Sequence, residues 1–221
     1  ISYRLVGSEM CIRDRGQGVL DLALDVPNIS CETQPIPARL RIGWLRSVFN
    51  INHGFAIQSF IDELARKKGV STPEMLKTVL GPPRILTRKE TRAAIPNYDA
   101  DLEEFPVDIG RWHAVIDDVV AKSGYTGESD GQSAMGFAAH ASFGSYVAAV
   151  VRVVKDAAGR PKVDEAWVSI DAGQIMNPDR ATAQMEGGVI FGASVALHGE
   201  ITYRDGKVCL LYTSPSPRDG T

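Results

Sequence analysis

The chain has 221 residues, 44% of them hydrophobic and 23% charged, with a formal net charge of −3. That apolar content supports a packed core and excludes an extended disordered chain. The absence of any Lys/Arg cluster argues against a nucleic-acid partner, and the longest apolar run, Val189 to Leu197, is too short to cross a bilayer.

The ends read differently from the rest. A single DNA segment can encode residues 1–15 in one orientation and residues 209–221 in the other, and it resembles a transposon-type sequencing-library adapter. Both stretches are expected to be adapter-derived tails outside any fold. Residues 16–208 then form one partial domain. Cys11 and Cys209 fall in the tails, which leaves Cys31 and neither a disulfide framework nor a thiolate metal site. No signal peptide is visible, and the compartment stays open.

In chain order, Leu20 to Val26 predicts a short strand closed by Pro27-Asn28, and Ile29 to Ile36 an extended stretch limited by Pro35 and Pro37. Ile57, Phe60, Ile61 and Leu64 fall at i, i+3, i+4 and i+7, predicting an amphipathic helix of about three turns closed by Lys67, Lys68 and Gly69. A second helix starts at Ser71-Thr72-Pro73-Glu74, with Thr72 as cap, and ends at Gly81. Arg84 to Pro106 carries charges of both signs and reads as a solvated surface excursion. Val115, Ile116, Val119 and Val120 form the next helical stripe, from near Gly110 to Ser123-Gly124.

A loop over Tyr125 to Gln132 leads to a strand over Ala134 to Ala141. Tyr146 to Val154, nearly continuous in Val and Ala, predicts a strand buried on both faces. Asp156 to Pro161 reads as a hairpin loop, and Val163 to Ile170 as the partner strand. A tight turn at Asp171 and Gly173 then opens a helix capped by Asn177, with Pro178 first and Asp179 at the positive end of its dipole. This helix runs to about His198, with Gly199 after it, and a strand with an Asp-Gly turn follows from Glu200 to Val208. Helices and strands mix without a strict βαβ rhythm, which predicts an α+β fold of mixed α/β layers.

The chemistry is sparse at first sight. Ser142, Ser145 and Ser169 lack a nucleophile elbow. His53, His113, His140 and His198 lack metal-ligand spacing, so no protein-ligated metal is expected. His113 reads as helix surface, and His140 as a satisfied structural histidine or a site neighbour. The unusual feature is Gly187-Gly188 inside a predicted helix, where each glycine costs about 1 kcal/mol against alanine. Close packing and a bound ligand explain such bare backbone equally well.

Two motifs decide between them. Asp171-Ala-Gly-Gln-Ile-Met-Asn-Pro178 is followed by Ala183-Gln-Met-Glu-Gly-Gly188, and upstream lie Gly43-Trp-Leu-Arg-Ser-Val48 and Phe55-Ala-Ile-Gln-Ser-Phe-Ile-Asp-Glu-Leu-Ala65. Together they resemble the molybdenum hydroxylases, the xanthine dehydrogenase and aldehyde oxidase family. Leu24-Asp-Val-Pro-Asn28 and Ser142-Phe-Gly-Ser-Tyr-Val-Ala148 place the resemblance nearest the branch of the isoquinoline 1-oxidoreductase beta subunits. It covers most of residues 20–208.

The resemblance implies part of a molybdopterin-binding domain of the xanthine dehydrogenase large-subunit type. The cofactor would be molybdopterin with molybdenum, plain or as the cytosine dinucleotide. The parent enzyme would hydroxylate an aromatic N-heterocycle or aldehyde with water as oxygen source. Electrons would pass to an iron–sulfur small subunit, the only holder of 2Fe–2S clusters. Gln184 matches the pterin-contacting glutamine, and Arg46 an arginine beside the anionic end of the cofactor. Ser47 stands where glycine is common, and Gly187 and Gly188 match the bare helix segment. Val48 stands where many relatives carry an aromatic substrate-packing residue. Glu186 matches in a structural role. The family's catalytic glutamate lies in a G-V-G-E segment that this sequence does not contain, so no catalytic residue is assigned and this chain alone is expected to be inactive. Gly16-Gln-Gly18 resembles a further pterin motif, but precedes the Arg46 segment instead of following it. A non-catalytic relative or assembly scaffold with the same fold is the alternative.

Overall fold

A computed structural model describes residues 23–30, 45–86, 105–205 and 207–208. Both expected tails, Gly16-Gln17-Gly18, the extended stretch from Cys31 onward and residues 87–104 of the charged excursion lie outside the described residues. The mixed helix-and-sheet architecture agrees with the α+β expectation. The chain divides into two compact units, one of Ile1–Thr33 with Leu45–Gln174 and one of Gln34–Trp44 with Ile175–Thr221.

A three-stranded antiparallel sheet is the frame of the first unit. Strands β1 (Ser133–Ser142), β2 (Ser145–Lys155) and β3 (Pro161–Asp171) are adjacent in the order β1-β2-β3. Phe143 and Gly144 join the first two with φ of 51° and 72°, the left-handed pair that a two-residue I′ turn requires. The turn sets Ser142 opposite Ser145 and therefore Ala141 opposite Tyr146. Asp156 organises the second hairpin, its Oδ1 accepting from the amides of Ala158 and Arg160, each at 2.8 Å.

Burial along β2 alternates. Tyr146, Ala148 and Val150 are buried, whereas Val147, Ala149, Val151 and Val153 are half-buried. The expectation of a strand buried on both faces is therefore corrected. Side chains of successive strand residues point to opposite faces, and along β2 and β3 it is the face of Ala148 and Val150 that carries a helix.

That helix is α3 (Ile109–Ser123), which packs along β2 and β3. Asp108 caps it, Oδ1 accepting from Gly110 N at 2.8 Å and Arg111 N at 3.3 Å. Ile109, Ile116 and Val119 are fully buried with Leu80, Ala148 and Val150. Two further helices, α1 (Asn50–Lys68) and α2 (Thr72–Leu80), pack on each other and on β1. α1 has 19 residues, not the three turns expected. It passes beside His140 at Gly54, where an added Cβ would stand 3.6 Å from the His140 ring, an ordinary contact. Gly69 closes α1 in the left-handed conformation, φ 72°.

The second helix is capped by Ser71, not Thr72. Ser71 Oγ accepts from Glu74 N, and Glu74 Oε2 accepts from Ser71 N at 3.0 Å, a reciprocal capping box. Thr72 turns inward, its hydroxyl donating to Asp62 Oδ1 at 2.6 Å. The strand expected at Leu20 to Val26 is not seen in its described part. Asp25 N donates to Val79 O at 2.7 Å, so this segment runs beside the end of α2 and joins no sheet.

The second unit contains α4 (Pro178–His198) and a short hairpin of β4 (Tyr203–Arg204) and β5 (Lys207–Val208). Asn177 caps α4 as expected, Oδ1 accepting from Arg180 N at 3.0 Å. Its 21 residues include none that is buried, despite Val189, Ile190, Phe191 and Val195.

Replacing the observed cap, Ser71→Ala, removes one acceptor and half of the capping box. Stability in urea should fall by about 1 kcal/mol, read as a lower unfolding midpoint at unchanged slope.

Candidate functional site

The turn after β3 is built around one carboxylate. Asp171 Oδ2 accepts from Arg111 Nε at 2.7 Å and Oδ1 from Arg111 Nη2 at 2.5 Å. Oδ1 also accepts from Gly173 N at 3.0 Å, and Gly173 takes the left-handed φ of 73° that the sequence anticipates. The hydrogen bonds from Arg111 hold the Asp171 carboxyl down at about 2, against the partial desolvation of the site. The same guanidinium lies 4.9 Å from the Tyr146 ring centroid. Tyr146 Oη accepts from Asp108 N at 2.8 Å. The sequence marks Asp171 as a turn residue and as the start of the Asp171-to-Pro178 motif, but gives no signal for Arg111, 60 positions earlier.

From this turn the chain enters α4, where Gln184, Gly187 and Gly188 fall at i, i+3 and i+4 and so share one face. Gln184 is exposed. Among the described residues, a Cβ added at Gly187 would meet nothing within 4 Å, so the backbone there borders open space.

The second predicted group lies in the first unit, in the turn before α1. Val48 N donates to Leu45 O and Asn50 N to Ser47 O, both at 3.0 Å. Ser47 and Val48 have φ of 72° and 53°, a conformation uncommon for residues with a Cβ and strained for a β-branched one. Ser47 thus takes the backbone shape that glycine would adopt more cheaply. Arg46 is exposed, and α1 starts without a side-chain cap. Gln184, Gly187 and Gly188 belong to one unit and Arg46, Ser47 and Val48 to the other.

A groove of about 740 Å³ follows the outer edge of β1, lined among others by Gly54, Gln58, Asp62, Tyr125 and His140. None of the six predicted site residues lines it. His140 is largely buried, and burial, aided by the charge of His53, pushes its pKa down. His113, expected on the surface, has a buried Nε2 with no hydrogen-bond partner among the described residues, and burial followed by the charge of Lys77 lowers its pKa. Among the described residues no group of three or more His, Cys, Asp or Glu could hold a metal ion, and no helix is long and apolar enough to cross a membrane.

In kind, the two predicted groups fit a polar, anionic, planar cofactor. Gln184 carries an amide that can donate and accept, on the helix face that Gly187 shares, and Arg46 carries a planar cation in the turn before α1.

The family model of the molybdopterin cofactor-binding domain matches residues 98–213, a span that includes α3, the sheet and α4. The chain is 26% identical over 178 residues to a nicotinate dehydrogenase subunit of Pseudomonas putida, an alignment covering 76% of this chain. The chain spans 14% of the length of that relative. No solved structure matches.

Because the carboxyl of Asp171 is depressed in the folded state, the stability it contributes is present above the unfolded carboxylate range, about 3.9. It is lost as pH falls toward 2. The unsubstituted protein should exceed Asp171→Asn in urea stability at pH 5, with the gap closing toward pH 2. A gap independent of pH would contradict the assignment.

Proposed function

Because the chain belongs to the molybdopterin cofactor-binding domain family, we propose that it is part of the cofactor-binding large subunit of a molybdenum hydroxylase, nearest the branch of the isoquinoline 1-oxidoreductase beta subunits. The observation that carries this reading is the stripe of Gln184, Gly187 and Gly188 on α4, inside the matched span, with open space where a Gly187 side chain would stand. Residues 1–15 and 209–221 are read as adapter-derived tails, the matched span ending inside the second of them at residue 213.

Gln184 binds an edge of the pterin through its amide. Gly187 and Gly188 keep the helix backbone low enough for the ring system to lie against it. Arg46 pairs with the anionic end of the cofactor, here molybdopterin in its plain or cytosine dinucleotide form. Ser47 preserves the glycine-type turn that presents Arg46. Val48, smaller than an aromatic side chain, leaves room for a bulky substrate ring. When bound, the cofactor supplies two-electron oxidation of a substrate carbon, with water as the oxygen source.

The substrate class is an aromatic N-heterocycle or an aldehyde, and electrons leave to an iron–sulfur partner subunit carrying 2Fe–2S clusters. The relative's name, that of one subunit of a nicotinate dehydrogenase, supports an N-heterocyclic substrate and an enzyme of several subunits.

The test is cofactor content of the full-length subunit made in a molybdopterin-producing host, by elemental molybdenum and by fluorescence of released pterin. Loss of one good amide hydrogen bond should weaken retention about tenfold in Gln184→Leu. Unsubstituted protein free of both metal and pterin would favour a non-catalytic scaffold and end the enzymatic reading.

A further inference from the structure

We propose that His140 is a positioning residue for the Arg46-Ser47-Val48 turn and acts through Asn50. The proposal rests on the reading of that turn as part of the cofactor wall.

Asn50 is the joint. It is the first residue of α1 and only 4% exposed. Its backbone N–H donates to Ser47 O at 3.0 Å, and its side-chain Oδ1 lies 2.9 Å from His140 Nε2. An amide oxygen only accepts, so His140 meets it as the Nε2–H tautomer. Nδ1 then faces Gly54, where an added Cβ would stand 3.6 Å away. Strand β1 grips the helix a second time two turns on, where Ala139 N donates to Gln58 Oε1 at 3.3 Å. Adjacent strand residues thus fix both the start of α1 and its middle.

The turn has need of such support. Ser47 and Val48 are both left-handed. Consecutive non-glycine residues in that region persist only where their surroundings over-determine them. The path from His140 to Asn50 to the Ser47 carbonyl is one support that the structure supplies. Removing its donor takes a hydrogen bond from a buried amide next to the strained residues.

His140→Phe keeps a ring and removes the donor; His140→Gln keeps a donor of similar reach. Hydrogen exchange and pterin released on denaturation are measured for both and for the unsubstituted full-length subunit. Amides of residues 45–52 should exchange about tenfold faster in His140→Phe while those of residues 146–150 are unchanged. His140→Gln should recover most of the protection, and pterin retention should follow the same order. Unchanged exchange at residues 45–52 in His140→Phe would overturn the latch. Faster exchange there with full pterin retention would overturn the positioning role. If His140→Phe also loosens residues 146–150, Asn50→Ala removes the same bond from the helix side and is judged by the same two criteria. An unsubstituted subunit that holds no pterin would overturn the cofactor reading and with it the positioning role, while the exchange data would still decide the latch.

Discussion

The bidentate pair of Arg111 and Asp171 joins the first turn of α3 to the last residue of β3. Around it, Tyr146 stacks under the guanidinium and accepts the amide of Asp108, the residue that caps α3. Helix start, middle strand and edge strand therefore meet at one point. Each side chain of the pair is about one-third exposed, so simple Coulomb attraction is partly screened there. Its value lies in planar geometry, since two parallel N–H···O bonds fix an orientation that a single contact leaves free. The turn through Gly173 hangs from the same carboxylate.

Two surfaces in the chain are more apolar than their exposure warrants. The face of the sheet opposite α3 is built from Ala138, Val147, Ala149, Val151, Val168 and Ile170, none of them fully buried. The helix α4 is hydrophobic in composition and has no buried residue. Contiguous apolar areas of this kind mark contact surfaces more often than solvent faces. They agree with a chain that corresponds to 14% of its relative's length.

Local chemistry made most elements legible in the sequence. Glycine at Gly69 and Gly124, asparagine at Asn177 and the Asp171-to-Gly173 turn act within a few residues, and each does in the structure what its side chain dictates. Failures came where distant partners decide. Ser71, and not Thr72, is the cap because it stands three residues before Glu74 and closes a capping box with it, while the Thr72 hydroxyl donates to Asp62. The run from Tyr146 to Val154 has the composition of a strand buried on both faces, and composition does not say which layers are present. Gln184 and the two glycines were legible as an anomaly of helix design and then as a family pattern. Arg111 and Asn50 were not, and His140 was legible as a structural histidine or site neighbour but without its partner, because these partners lie dozens of positions apart and no period links them.

The two-residue turn at Phe143 and Gly144 carries a consequence beyond the hairpin. It fixes the parity of β2 against β1, and parity decides that Tyr146, Ala148 and Val150 turn toward α3. A single inserted residue would exchange the two sides of the strand, sending Tyr146 away from Asp108 and its valine neighbours inward. Deletions and insertions are therefore intolerable at this corner, whereas the Asp156–Arg160 loop, which closes on its own side chain, can absorb a change of length.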